Sequence, residues 1–314
     1  MKNKLFQIAK SMLGIVIAIA VIAASLCITV PGVSLKASAA TVVDTWDGTL
    51  ATSFASGTGT ESDPYIIATA EQLAYAALGA STVSVGKYFK VVDNAVFNLS
   101  GMHDITLDST VGDVMVASTD KNWRTTTDGA KTFAGFFDGN GVVVYNLYSY
   151  GHGYAGLFPR PDNNNSTNTA WVKNITLLNS RTHGYHFSGG IVGSYEAPNT
   201  SKTLSIENCQ VYNCWISDNK NQNSSCQRTS GIIAGSVTHN KTTIKNCFAS
   251  GNVTTSTEIS GGIVGQTSAY CPGASIQSCI VLGSSAYPIV NGTRKIENIL
   301  MFRVLTQVFT PIKK

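Results

Sequence analysis

Ser188–Gly193, with the sequence SGGIVG, occurs three times in this chain with only conservative changes. The second copy is Ser230–Gly235, SGIIAG, and the third is Ser260–Gly265, SGGIVG. A weaker copy, AGLF, lies upstream at Ala155–Phe158. Internal repeats spaced by roughly 28 to 42 residues fall in the range that indicates a solenoid.

The hexapeptide favours a β-strand that stacks on its neighbours. Its residues are small or β-branched, which suits a strand and lets adjacent backbones approach closely. One such strand is not stable alone, so we expect a parallel β-helix with equivalent strands about 4.8 Å apart. The three copies are predicted to share one sheet, with the isoleucines in one inward column. The residues assigned to this strand repeat are Gly190, Ile191, Gly193, Ile233, Gly235, Ile263 and Gly265.

A second recurring feature is an apolar-x-Asn step. It ends at Asn146, Asn174, Asn208, Asn246 and Asn298. An inward asparagine at a bend can bond its own turn and the asparagines above and below it, so these five residues are predicted to form a ladder. A leucine-rich horseshoe is the rival solenoid, but it requires several leucines at fixed spacing where this chain has Ile, Val and Gly.

Residues 1–39 have the layout of a secretory signal peptide. Three lysines lead into an apolar block from Met12 to Val30, and Ala37-Ser38-Ala39 provides a small-residue cleavage site. We therefore expect cleavage after Ala39 and a secreted or cell-surface protein. The apolar block is also long enough to span a membrane, so an uncleaved anchor is the alternative.

Loss of the signal would leave a nearly neutral chain. The whole sequence has 22 basic and 18 acidic residues, and residues 1–39 hold four lysines and no acid, so 22 − 4 = 18 basic residues remain against 18 acidic ones. This balance offers no basic patch for nucleic acid or an anionic membrane. A charged fraction of only 13% fits an extracellular β-rich protein.

Residues 40–130 are predicted to form an N-terminal cap and the first irregular coils. Thr69 and Gln72 have the spacing of a capping box, which predicts a short helix over about 69–79. Such a helix can cover the open end of a solenoid. Strands are expected over 86–92 and 95–99, followed by a loop excursion over 103–130.

Regular β-helix coils are predicted over residues 131–300. Residues 301–314 show neither another repeat nor a capping pattern. Either this apolar tail caps the last coil or the reading frame is truncated, and we expect truncation.

Several short motifs resemble those of bacterial surface proteins with GLUG-type repeats. They are Asp63-Pro64-Tyr65, Glu71-Gln72-Leu73, Phe136–Gly141, Asn146-Leu147, Gly156-Leu157-Phe158 and the repeated GGIVG. The resemblance covers most of residues 46–300 and implies an all-β, right-handed parallel β-helix solenoid in a secreted protein. It implies no single activity, since such repeats occur in adhesin-like chains and beside peptidase domains. The chain has no His-Glu-x-x-His peptidase motif.

Six cysteines follow the signal segment. They are Cys209, Cys214, Cys226, Cys247, Cys271 and Cys279. An even count in a secreted chain is compatible with disulfides. Three of them occupy one repeat position, directly after Asn208, Asn246 and Ser278, which favours a stacked column of buried free thiols. The spacing matches no zinc signature, so neither a metal nor a cofactor is predicted.

Possible catalytic residues fall short of a complete motif. Gly151-His152-Gly153 is similar to a motif of pectin-cutting glycosidases. The chemistry of those enzymes requires paired carboxylates, and the motifs that supply them in that family do not occur in this chain. His152 is therefore interpreted as a turn residue. Arg181, His183 and His186 have only Glu196 as an acid nearby and are interpreted as solvated loop residues.

Two functions from different classes remain. The first is a non-enzymatic, adhesin-like or matrix scaffold that binds an extracellular glycan or surface ligand. Its candidate aromatic platforms are Tyr148, Tyr150, Tyr154, Tyr185, Tyr195, Tyr212, Trp171 and Trp215, half or more of which are expected to pack on the core instead. The second is a polysaccharide lyase or glycoside hydrolase with a site in the loops at 103–130, 159–170 or 217–229. An acid cluster on one outer face would favour the enzyme.

Overall fold

Short strands joined by tight bends make up most of the part of the chain that the structure describes. The computed structural model describes residues 43–99, 122–124, 133–151, 153–161, 169–184, 186–195, 203–218, 229–237, 242–254, 260–267, 275–284, 290–291, 295–297 and 300–303. All of these residues belong to one compact unit. The predicted signal segment and the tail from 304 onward lie outside them, as does most of the predicted loop excursion.

The N-terminal helix forms where the capping box predicts it. Helix α1 spans Ala70–Leu78, and the Thr69 hydroxyl accepts a hydrogen bond from the backbone amide of Gln72 at 3.3 Å. Gly79 follows the helix with φ of −60°, outside the left-handed region. Glycine is needed there because a Cβ atom would lie 2.3 Å from the carbonyl oxygen of Tyr75. Close packing, not backbone handedness, fixes the residue at this end.

In the part of the chain that the structure describes, the remaining elements are one short helix and 24 strands. Helix α2 spans Ser81–Ser84. The strands are β1 Val43–Thr45, β2 Tyr65–Ile67, β3 Tyr88–Val91, β4 Val96–Asn98, β5 Phe136–Tyr145, β6 Tyr148–Gly151, β7 Tyr154–Ala155, β8 Thr169–Leu178, β9 Arg181–Gly184, β10 Phe187–Gly189, β11 Val192–Tyr195, β12 Thr203–Glu207, β13 Gln210–Asp218, β14 Thr229–Gly231, β15 Ala234–Val237, β16 Thr242–Lys245, β17 Phe248–Thr254, β18 Ser260–Gly261, β19 Val264–Thr267, β20 Ser275–Gln277, β21 Ile280–Ser284, β22 Val290–Asn291, β23 Lys295–Glu297 and β24 Leu300–Arg303.

These strands form three sheets, and all of the pairs between them in the described residues are parallel. The main sheet has 16 strands along the path β23-β20-β16-β12-β8-β13-β17-β21-β24, with β5 beside β8. The second sheet has the order β18-β14-β10-β7, and the third has the order β11-β15-β19-β22. The chain is therefore all-β with parallel stacking, as its sequence predicts.

The three hexapeptides lie in register but do not share one sheet. Ser188 pairs with Ser230, and Ser230 with Ser260, in the second sheet. Four residues further on, Val192 pairs with Ala234 in the third sheet. The prediction of a single sheet is wrong because each hexapeptide bends in its middle and passes from one sheet to the next.

The isoleucines of the hexapeptide lie at this bend. Ile191, Ile233 and Ile263 are fully buried. The backbone amide of Ile191 donates to the carbonyl of Ile233 at 3.1 Å, and that of Ile233 to Ile263 at 3.0 Å. The three side chains therefore follow one another along the core from repeat to repeat.

The last glycine of each hexapeptide is explained by the close approach of neighbouring backbones. A Cβ atom on Gly265 would lie 2.5 Å from the carbonyl oxygen of Gly235, and one on Gly235 would lie 2.5 Å from that of Gly193. On Gly193 it would lie 2.4 Å from the carbonyl oxygen of Pro159. Any side chain at these positions would push the repeats apart.

Asparagines in the left-handed conformation bend the strands of the main sheet. Asn174, Asn208 and Asn246 have φ of 61°, 52° and 54°, and Ser278 follows in the same position with 50°. Asn146, Asn179 and Asn213 form a second such column with φ of 58°, 47° and 50°. Asparagine tolerates this backbone region better than most residues.

The direction of these asparagines differs from the prediction. Asn208 and Asn246 are exposed, and Asn174 and Asn146 are half-buried, so the ladder lies on the outside. Each turn places an extra outward residue in the strand, so that buried positions occur at Leu204 and Ile206 before it and at Cys209 and Val211 after it. The inward residue at the bend is thus the one after the asparagine.

Asn146 belongs to the second column and not to that of Asn174. Its amide donates to the carbonyl of Leu178, beside Asn179, and its side chain donates to Asn98 Oδ1 at 3.0 Å. In the first column, Asn208 Nδ2 donates to Asn174 Oδ1 at 3.1 Å. Asn298 lies outside the described residues.

Candidate functional site

A column of alternating charges runs across the outer face of the main sheet, one residue before the first asparagine column. Successive strands pair its members in the order Lys90, Asp138, Lys173, Glu207, Lys245 and Gln277. Lys173 Nζ lies 3.3 Å from an Asp138 carboxylate oxygen, and Lys245 Nζ lies 2.9 Å from one of Glu207. Parallel pairing stacks equivalent residues, so alternation of sign avoids contact between like charges.

The two carboxylates of this column are engaged as acceptors. Asp138 Oδ1 accepts from the side chain of Asn174 at 2.7 Å and from the backbone amide of Asn140 at 2.9 Å. Glu207 accepts from the Ser205 hydroxyl at 2.6 Å as well as from Lys245. Both carboxylates are therefore engaged by donors that belong to the sheet.

The pKa of Glu207 is lowered. Partial burial acts to raise this pKa, but the hydrogen bond from Ser205 and the hydrogen bond and charge of Lys245 together outweigh it. A general acid for glycoside cleavage needs a raised pKa instead. Asp138 and Glu207 are also two strand spacings apart, about 9 to 10 Å, with Lys173 between them. They do not form an acid–base pair.

Aromatic side chains stack from strand to strand in the same way. Tyr88 and Phe136 lie 4.3 Å apart between ring centroids, and Phe136 and Trp171 lie 5.6 Å apart. Lys173 Nζ lies 4.3 Å from the Trp171 ring centroid. The ring faces that a sugar would need are turned toward one another or toward a cation.

Most of the predicted aromatic platforms likewise have their rings packed against other side chains. Tyr154 stacks on Phe187 and is covered by Arg160, Tyr212 packs on Phe248, and Tyr150 stacks on His183. Tyr148 and Trp215 pair with Arg181 from either side, and the Arg181 guanidinium lies over the Trp215 ring. Tyr195 is buried in the core, and Tyr185 lies outside the described residues.

His183 and Arg181 are not solvated loop residues, contrary to the sequence interpretation. Both lie in β9, and His183 is only 4% exposed. Its Nδ1 atom lies 2.8 Å from the hydroxyl of Ser217, which is 5% exposed. A serine beside a histidine can act as nucleophile and base, but burial of both closes this pair to a polymeric substrate. The pair serves to satisfy two buried polar groups.

The cysteines form a stack of free thiols on the inner face. Cys209, Cys247 and Cys279 are buried and follow the asparagine column, and each thiol lies 3.2 to 3.3 Å from the carbonyl oxygen two residues before it. The hydrogen bond with the Cys209 thiol and burial raise the pKa of Cys247. Burial raises the pKa of the separate Cys214 to about 12. These four are therefore unreactive packing residues, whereas Cys226 and Cys271 lie outside the described residues.

Within the described ranges, no group of three or more His, Cys, Asp or Glu side chains is placed to hold a metal ion. In the same part of the chain, no helix is both long and apolar enough to cross a membrane. His152 lies outside the described residues, as do most of the loops that were predicted to carry an enzymatic site.

The sequence interpretation missed the alternating charges, although the signal was present. The residue before Asn174, Asn208, Asn246 and Asn298 is Lys173, Glu207, Lys245 and Glu297 in turn. The residue before Asn146 is Tyr145, which breaks the alternation and indicates the other column. A net charge does not reveal this alternation, because the opposite signs cancel.

No protein family model and no curated protein matches the chain. Among solved structures, the chain is similar to a crystal structure of "a putative immunoglobulin A1 protease" from Bacteroides ovatus, with a TM-score of 0.47 and 18% sequence identity. The match covers 79% of this chain and 78% of the other. Similarity at this level carries no argument about activity.

Proposed function

We propose that this protein is a non-enzymatic, secreted or cell-surface scaffold that presents a binding element for an extracellular glycan or surface ligand. In this proposal the parallel sheets wind into a right-handed β-helix, related to that of proteins with GLUG-type repeats. The three sheets, the in-register hexapeptides and the parallel pairing of all described strands support such a solenoid. The signal-like segment at residues 1–39 supports export.

The observation that carries the proposal is the use of outward polar groups within the fold itself. Asp138 and Glu207 are bonded to lysines on neighbouring strands, and the aromatic rings beside them stack on each other. Groups committed in this way stabilise a rigid rod but cannot transfer protons to a substrate without breaking the sheet's own contacts. A scaffold needs such stability, whereas a glycosidase or lyase needs free acids.

The test is a glycan array combined with reducing-sugar and unsaturated-product assays on the same purified sample. We expect binding to a subset of glycans and no turnover of pectin, alginate or similar polymers. The double variant Asp138→Asn, Glu207→Gln serves as the matched control, and it should leave glycan binding unchanged. Turnover by the natural protein that disappears in this variant would reject the proposal in favour of a hydrolase or lyase.

A further inference from the structure

An open cleft lies at the N-terminal end of the described chain, beside α1 and α2. It has a volume of about 510 Å³, which is sufficient for one or two sugar rings. Its lining comprises an aromatic wall, which consists of Phe54, Tyr65 and Tyr75, together with hydroxyl groups and one lysine, Lys87.

The aromatic wall is held in place from behind. The Phe54 ring lies between Tyr65 and Tyr75, at centroid distances of 4.8 and 5.2 Å. Phe89, which is 1% exposed, packs edge-on against Phe54 at 5.2 Å. Tyr65 is fixed by the pairing of β2 with β3, where it lies opposite Phe89. A wall of this kind is organised before any ligand arrives, which lowers the entropic cost of binding.

The polar side of the cleft has donors that the fold does not use. The hydroxyls of Thr52, Ser53, Ser56 and Thr82 line the cleft and make no hydrogen bond with other described residues. Lys87 is the one charged side chain of the lining, and no carboxylate accompanies it there. Its Nζ atom lies 5.9 Å from the centroid of the Tyr65 ring. The cleft is thus hydroxyl-rich and carries a single positive charge.

We propose that this cleft binds an acidic saccharide, with a uronate ring against the aromatic wall and its carboxylate at Lys87. A sugar ring offers an apolar face for the aromatic side and hydroxyls for the polar side, and a carboxylate matches a single ammonium group. The inference rests on the proposed glycan-binding function and assigns it to one place. It goes further by naming the ligand's chemical class.

The experiment measures binding of an oligogalacturonate of defined length and of its carboxyl-reduced, neutral counterpart by isothermal titration calorimetry. Natural protein should bind the acidic oligomer at least about tenfold more tightly than the neutral one, because a hydrogen bond to a charged group is lost in the neutral oligomer. Lys87→Met should remove this difference. Lys90→Met, at an exposed lysine on the same segment that lies outside the cleft, is the matched control and should behave like the natural protein.

A second variant tests the hydroxyl side, and thermal unfolding of each variant verifies that the fold is intact. Thr52→Ala combined with Ser53→Ala should weaken binding of both oligomers about equally, since both residues are exposed and carry no packing role. If the protein binds glycans on the array but Lys87→Met has no effect on the acidic oligomer, the cleft is rejected and the scaffold function stands. If the natural protein binds neither the array nor the oligomer, both proposals are rejected.

Discussion

At the scale of single residues, asparagines bend the strands of the main sheet. Asn174 and Asn208 adopt a left-handed backbone that costs most residues about 1–2 kcal/mol, and their side chains bond across the repeats. The bend moves the next residue inward, which places Cys209 in the core. The left-handed conformation of the asparagine thus determines both the outward position of its own side chain and the buried position of the residue after it.

Asn208 allows a direct test of this role. Asn208→Ala should lower the free energy of unfolding by about 1–2 kcal/mol, because alanine at φ of 52° is strained and the bond to Asn174 is lost. Asn208→Gly keeps the backbone conformation and should cost less. Urea denaturation of both variants measures the difference. Equal losses would mean that backbone handedness is unimportant at this position.

Glu207 makes stability depend on pH in a defined direction. Since the folded-state pKa is lowered, its contribution is complete above the unfolded pKa of about 4.3 and is lost as the pH falls through the folded value. Glu207→Gln should therefore be less stable than the natural protein at pH 7 and approach it at pH 3. Urea midpoints at the two pH values give the comparison. A difference that grows at acid pH would contradict the lowered pKa.

At the scale of elements, each strand of the main sheet has one inward face and one outward face, and different stacks of side chains cover the two faces. Thiols and aliphatic side chains form the inner stack, as at Cys209, Cys247 and Ile206, whereas charges form the outer one. The hexapeptide strands differ, because glycines at Gly193 and Gly235 let two backbones meet without side chains. Close approach of the backbones at the hexapeptide glycines and alternating charges on the outer face of the main sheet both favour one register of the repeats.

The inner stack predicts protected free thiols. Cys209, Cys214, Cys247 and Cys279 should resist iodoacetamide in the folded protein, because all four are buried and the reagent is excluded. In addition, the pKa values of Cys214 and Cys247 are raised, which lowers their thiolate fraction. After denaturation without a reductant, all four should be labelled. Peptide mass spectrometry reads each site separately. Peptides that remain unlabelled after denaturation would show disulfides in place of the stack.

At the scale of the whole molecule, the alternating column connects repeats that are far apart in the sequence. It runs from Lys90 in β3 to Lys245 in β16 and continues beside Gln277. A shift of one repeat against its neighbour would break these pairs, so the column favours one register of the stack over others.

Reversal of one charge in the column should lower the free energy of unfolding through contacts with both neighbouring repeats. Lys173→Glu would place an acidic side chain between Asp138 and Glu207, and like charges directly opposite each other cost about 0.2–1 kcal/mol per pair. The loss should shrink as salt is added, because exposed charges are screened. Lys173→Gln is the control and should show a smaller loss with less dependence on salt. Denaturation in low and high sodium chloride measures both variants.

Local chemistry in the sequence was sufficient for several features. The capping box at Thr69 and Gln72 predicted α1, and the small and β-branched hexapeptide predicted parallel strands in register. The repeated cysteine position predicted the buried stack of Cys209, Cys247 and Cys279. In each case the signal lies within a few neighbouring residues, where side-chain size and hydrogen-bonding capacity determine the conformation.

The direction of side chains and the partners across repeats were decided only by the tertiary structure. The hexapeptide crosses between two sheets, Asn208 points outward, and Asn146 joins a different column from Asn174. The repeats differ in length, so a residue's neighbour above depends on how the intervening segments are accommodated. The cleft at Phe54, Tyr65 and Lys87 arises in the same way, because two helices, a strand and loop residues that are separate in the sequence meet only when the chain is folded.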